Sequence, residues 1–286
     1  MSKETLCVTL LLALSSIGAQ SALAHDDPSE TPFWAPLPVE ATAMPANFIV
    51  DNQTEASLRF DVTWGQASPF SAASAEHDFG ALGLYEEFLC NCVCGEDCVD
   101  CEEPMERVVD IAPGESHAFA WGGYFWRLGQ SRIGSCMQPF ASLSGEYLVV
   151  ACTQSGAQCA STTVNLPATD PIRIVFGSES TPPECDTHPE VAERAVRSAL
   201  GRMSIGSIVT DRHAVCDVET AVCHDDDEEA ELGTAADTCE LHAWLRDDGV
   251  EVLVHLPLPE GTLGGEQYRT WFDPYATRVR RVQYTQ

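Results

Sequence analysis

Leu58, Phe60, Val62 and Trp64 alternate with Arg59, Asp61 and Thr63. A period of two sends alternate side chains to opposite faces, so this stretch predicts a half-buried strand. Similar apolar runs recur downstream. Phe48 to Val50, Arg107 to Ile111, His117 to Trp121, Tyr124 to Leu128, Tyr147 to Cys152, Ser161 to Asn165 and Ile172 to Phe176 each read as a strand. Pro113-Gly114 turns the chain, and Gly122-Gly123 has the form of a two-residue hairpin loop. No 3.6-residue period appears in this half. Short strands joined by Gly and Pro turns predict an antiparallel β-sandwich over 45–176.

The pattern changes after 177–184, a Ser, Thr, Pro and Glu stretch that reads as a linker. Thr187 and Glu190 have capping-box spacing, with Pro189 in the first turn, where its missing N–H does no harm. Val191, Ala195, Val196, Ala199 and Leu200 then form one apolar helical face, and Gly201 marks an expected stop. Ile208 to Val215 reads as a strand. Leu241 to Arg246 and Val250 to Leu256 flank a turn at Asp247-Asp248-Gly249, and Tyr268 to Phe272 and Arg278 to Tyr284 flank a turn begun by Asp273-Pro274. One helix followed by a β-meander predicts a small α+β domain over 185–286. The fold class expected for the whole chain is therefore mainly β and disulfide-stapled.

Compartment sharpens this picture. Residues 1–24 have the form of a secretory signal: Lys3, an apolar core from Leu6 to Leu14, and Ala22-Leu23-Ala24 before the cut. The mature chain is expected to begin at His25, with 25–44 as an extended, Pro-rich arm. The apolar run is shorter than the roughly 18 residues a spanning helix needs. A secreted, periplasmic or cell-surface location is expected. Of 13 cysteines, Cys7 falls in the signal, leaving 12, an even number. Eight precede the linker and four follow it: Cys185, Cys216, Cys223 and Cys239. Cys152 and Cys159 end facing strands, and a bridge there would clamp a hairpin. Net charge is −29 and Lys3 is the only lysine, so every cation of the mature chain is an arginine. Such acidity repels phosphate backbones and anionic lipid, which argues against nucleic-acid or membrane-surface partners.

Cys90, Cys92, Cys94, Cys98 and Cys101 fall within twelve residues, in a loop over 88–104. In a reducing cytosol this spacing would gather thiolates around zinc or copper. In an exported chain it reads first as a disulfide knot, pairing among its neighbours or with Cys136. The acids Glu96, Asp97, Asp100, Glu102 and Glu103 make the same loop a candidate recognition surface. His25 at a mature N-terminus could chelate copper through its amine and ring if His77 or His117 converged on it; a mobile arm is the simpler reading. Asp225 to Glu229 with Glu231 could bind calcium weakly but lacks the ligand spacing of an EF-hand loop, so it reads as a solvated acidic loop. Asn52-Gln-Thr54 matches a glycosylation acceptor. Phe119, Trp121, Phe125 and Trp126 read as core rather than as a sugar-stacking platform. The chain has no Gly-x-Ser-x-Gly, His-Glu-x-x-His or phosphate-loop motif.

Three features, namely Phe48-Ile-Val-Asp-Asn52, the clustered cysteines, and Ala112-Pro-Gly-Glu-Ser-His-Ala-Phe-Ala-Trp121, carry a likeness. On these, residues 47–176 resemble cysteine-rich exported proteins of myxobacterial type, which implies an Ig-like sandwich and no particular activity. The second half resembles PepSY or cystatin-type units in its helix-then-meander order. Asp273-Pro-Tyr-Ala-Thr-Arg-Val279 is similar to the PepSY Asp-x-x-Thr-Gly-x-Val turn, with Ala276-Thr277 in place of Thr-Gly. The function expected is a non-enzymatic binding or scaffolding protein with a protein or glycan partner and no cofactor. Two alternatives stand beside it: a zinc or copper protein using Cys90 to Cys101, and an extracellular hydrolase. A hydrolase predicts histidines and carboxylates converging in a deep cleft, where a binding module predicts a shallow face.

Overall fold

The computed structural model describes residues 42–62, 68–74, 76–77, 82–84, 107–131, 134–177, 183–205, 216–225, 239–256 and 266–285. Residues 1–41, the cysteine run Cys90 to Cys101, the expected strand Ile208 to Val215, Trp64, and the acidic residues after Asp225 lie outside them. The fold is mainly β.

Among the described residues, the first half holds eleven strands. Ala46–Asn52 (β1), Ser116–Trp121 (β6) and Ile172–Phe176 (β11) form one sheet in the order β11-β1-β6. Phe70–Ser74 (β3), Leu82–Leu84 (β4), Tyr124–Ser131 (β7), Gly134–Ala141 (β8), Gly145–Cys152 (β9) and Cys159–Leu166 (β10) form a second, ordered β10-β9-β3-β4-β7-β8. Leu58–Asp61 (β2) and Val108–Ile111 (β5) make a separate antiparallel ribbon. Almost all pairings are antiparallel. Among the described strands of this half the exception joins β1 to β11, with Phe48 opposite Ile172 through to Asn52 opposite Phe176, in parallel.

The core between the sheets is built from rings. Phe48 stacks on Phe70 at 5.1 Å, Phe70 meets Phe119 edge-on at 5.0 Å, and Phe125 stacks on Tyr147 at 5.1 Å. Alternation on β1 and β11 delivers Phe48, Val50, Ile172, Ile174 and Phe176 to this one cluster.

Gly122-Gly123 does not close a hairpin. β6 belongs to one sheet and β7 to the other, so the pair carries the chain across the sandwich. The crossing is tight: Gly123 has φ +84°, and a Cβ there would lie 2.5 Å from the Met44 backbone nitrogen. Trp121 Nε1 donates to the Tyr124 carbonyl at 2.9 Å and pins the bend.

In the second half, Val222–Asp225 (β12), Glu240–Arg246 (β13), Gly249–Leu256 (β14), Glu266–Phe272 (β15) and Val279–Thr285 (β16) form a sheet in sequence order. β13 to β16 are an antiparallel meander, and β12 pairs with β13 in parallel. The helix Pro189–Ile205 (α1) covers one face with Val191, Ala195, Val196, Ala199, Leu200 and Met203, packed on Leu241, Ala243, Val252 and Val254. Gly201 does not stop the helix. Burial of Leu200 and Met203 against the sheet outweighs its propensity cost of about 1 kcal/mol. The capping box is also not formed as expected: the Thr187 hydroxyl lies 2.7 Å from His188 Nδ1 and faces the Glu184 carbonyl.

Disulfides join Cys152 to Cys159, Cys185 to Cys223 and Cys216 to Cys239. The two halves meet through polar contacts. Ser71 Oγ and Thr277 Oγ1 are 2.8 Å apart and buried, and Arg280 reaches the Gly156 carbonyl at 2.7 Å.

Candidate functional site

One face of the five-stranded sheet packs on α1. The other collects the chemistry. Strand alternation and register place Glu240, His242, Trp244 and Arg246 of β13 on it, beside His224 of β12, then Glu251 and His255 of β14, Arg269 and Trp271 of β15, and Arg281 of β16.

At one end of this face three rings stack. His224 lies 5.1 Å from Trp244 and 5.3 Å from His242, with near-parallel planes. His224 Nε2 and His242 Nδ1 are 3.0 Å apart, so one ring donates an N–H to the bare nitrogen of the other. Exposures of 9% for His224, 8% for His242 and 6% for Trp244 show how little water reaches them. Burial pushes His242 below its ordinary value; the neighbouring His224 pushes the same way and Glu240 opposes. Glu240 Oε2 also accepts from His255 Nδ1 at 3.1 Å. Among the described residues, no three histidine, cysteine or acidic side chains are grouped to hold a metal ion.

Toward the other end the face opens and becomes basic. Glu251 is clamped between Arg269 at 2.6 Å and Arg246 at 3.2 Å. The Arg281 guanidinium lies 4.8 Å over the half-buried Trp271 ring.

A cleft of about 280 Å³ lies elsewhere, where the two halves meet. Gly156, Gln158, Cys159, Asp247, Asp248, Tyr275 and Arg280 are among its walls. Arg280 donates to the Asp248 and Gly156 carbonyls and sits 3.4 Å from Cys159 Sγ. The turn that presents Arg280 is organised by Asp273. This fully buried carboxylate accepts from the Tyr275 and Thr277 backbone N–H groups at 2.9 Å each, from the Thr277 hydroxyl at 3.0 Å, and from the Arg278 N–H. Burial raises its pKa, and those hydrogen bonds pull back down. Ala276 takes φ +55° inside this turn.

The residues expected from the sequence fall out as follows. Cys152 and Cys159 are bridged. His117 is exposed on β6, against Phe119 at 4.7 Å. His25 and Cys90, Cys92, Cys94, Cys98 and Cys101 lie outside the described residues. Asp225 Oδ1 accepts from the Cys185 N–H at 3.1 Å, which gives it a structural task. Asn52 is not a glycan acceptor in this fold. It is 1% exposed, and its amide nitrogen already donates to the Ala56 and Ile111 carbonyls at 2.8 Å each. Phe119, Trp121 and Phe125 are core, and Trp126 is half-buried. The His224, His242 and His255 cluster was not anticipated. A signal existed: His242 and Trp244, two apart on an expected strand, must share a face. His224 could not be added, because its short polar strand carries no periodicity.

Scans against protein-family models, curated proteins and solved structures return no match to the chain.

Proposed function

We propose that this chain is an exported, non-enzymatic binding or scaffolding protein of the cell envelope or extracellular space, its first half an Ig-like sandwich. The three disulfides among the described residues suit an oxidising compartment, and no described helix is long and apolar enough to cross a membrane. The observation that carries the reading is a separation. The histidine and carboxylate groups gather on a sheet face, while the cleft at the junction has no histidine in its described walls. A hydrolase needs those groups to converge around a substrate pocket.

The basic end of the face is the binding surface of this reading. Trp and Arg are the side chains that most often anchor interfaces. Arg269, Arg281 and Trp271 offer both, so a protein or glycan is the partner they fit. The test is saturable sedimentation of the purified protein with envelope fractions of the source cells. Trp271→Ala and Arg281→Glu should each weaken it by about tenfold, the equivalent of about 1.4 kcal/mol. Absence of saturable binding, or turnover on an esterase, peptidase and glycosidase panel, would overturn the reading.

A further inference from the structure

We infer that the Cys152–Cys159 bridge is a thiol-exchange site, opened and closed in the folded protein, with Arg280 as the residue that positions charge at its reactive sulfur. Three observations lead there. Cys152 is 2% exposed, whereas Cys159 is partly exposed and lines the junction cleft, so an incoming thiol reaches one sulfur only. Arg280 Nη2 lies 3.4 Å from Cys159 Sγ and is fixed by the Asp248 and Gly156 carbonyls. A fixed cation at that distance favours thiolate over thiol at Cys159. Lastly, the two cysteines face each other directly on β9 and β10, and seven further pairs, from Ala160 opposite Ala151 to Leu166 opposite Gly145, hold the strands together when the bridge is open.

The exchange balances with an external thiol as reductant. Its thiolate attacks Cys159 Sγ from the cleft, forming a mixed disulfide. The Cys152–Cys159 bond breaks with its electron pair on Cys152, which takes a proton from water. A second thiolate then attacks the external sulfur of the mixed disulfide and expels Cys159 as a thiolate beside Arg280. Two external thiols become one external disulfide, and the protein gains two electrons as a dithiol. In reverse, the Cys159 thiolate attacks an external disulfide and Cys152 resolves the product.

The other two described bridges are poorer candidates on this geometry. Cys216 and Cys239 are both buried, and Cys185–Cys223 and Cys216–Cys239 close 38 and 23 residues of chain against 7 for Cys152–Cys159. Losing either frees a longer stretch of the unfolded chain, so it destabilises the fold more.

The experiment uses the whole mature protein in graded dithiothreitol buffers, with alkylation and peptide mass mapping. Cys152 and Cys159 should be labelled together while Cys185–Cys223 and Cys216–Cys239 stay bridged and the far-ultraviolet circular dichroism is unchanged. In that partly reduced protein the pH midpoint for Cys159 alkylation should lie about one unit below the ~8.5 of a free cysteine. Arg280→Gln should raise it and Arg280→Lys should restore it. Bridges that open only together with loss of structure, or a midpoint that Arg280→Gln does not move, would overturn the proposal. The order of opening is read on the unaltered protein, so a variant that fails to fold does not remove the test.

Discussion

The two halves of this chain solve the same problem with opposite materials. Between two sheets, which pack about 10 Å apart, the space must be filled from both sides. The first half fills it with Phe48, Phe60, Phe70, Phe119, Phe125 and Tyr147. The second half lays a helix on a sheet, and its core mixes Ala192, Ala195, Ala199 and Ala243 with valine, leucine and methionine side chains. It then adds two disulfides and the buried Asp273 turn. Large rings give the first core its cohesion. Aliphatic and small side chains under a helix give the second core its own.

That contrast can be broken by exchanging the rules. Phe48→Ala, at a 1% exposed ring stacked on Phe70 and tilted against Trp121, should cost about 3–5 kcal/mol by chemical denaturation, the largest effect expected. Replacing the Cys185–Cys223 pair should cost about 4 kcal/mol, while replacing Cys152–Cys159 should cost about 2, because the closed loops differ in length. Equal losses would show that the bridges act through native geometry instead. Ala195→Leu, an enlargement at a fully buried site under the helix, should cost about 1–3 kcal/mol. A gain in stability there would mean the second core is not close-packed.

The smallest effect is one of pH. His242 is held below its ordinary value in the folded state, so the unfolded chain binds the extra proton more readily. The stability this contributes is complete above the unfolded value near 6.5 and is lost as pH falls through the folded one. Denaturation midpoints should therefore drop more between pH 7.5 and 5.5 for the native protein than for His242→Gln. Identical slopes would remove the His224–His242 pair from the account.

Local pattern carried much of this fold and little of its closure. The sequence-based strand Ile172 to Phe176 has the bounds of β11, and the helix was legible from Val191, Ala195 and Val196, because both patterns repeat within a few residues. The pairing of β1 with β11 joins residues more than a hundred apart, and no local signal encodes it. β3, with the sequence Phe-Ser-Ala-Ala-Ser, is central and small, so it lacks the alternation of a half-buried strand. β8 contains Pro139, which argues against a strand until its edge position is seen. The Cys152–Cys159 bridge was legible because the two cysteines end adjacent strands. The histidine cluster was not, because it needs β12 beside β13.

The parallel pairing of β1 and β11 has a mechanical consequence. The chain enters this sandwich at the start of β1 and leaves it at the end of β11, at opposite ends of the same ladder. Tension applied through those two points slides the strands along each other. All five residue pairs, Phe48 with Ile172 to Asn52 with Phe176, then share the load at once and cannot be unzipped one at a time. A pull applied along the chain through those two points would load this ladder in shear.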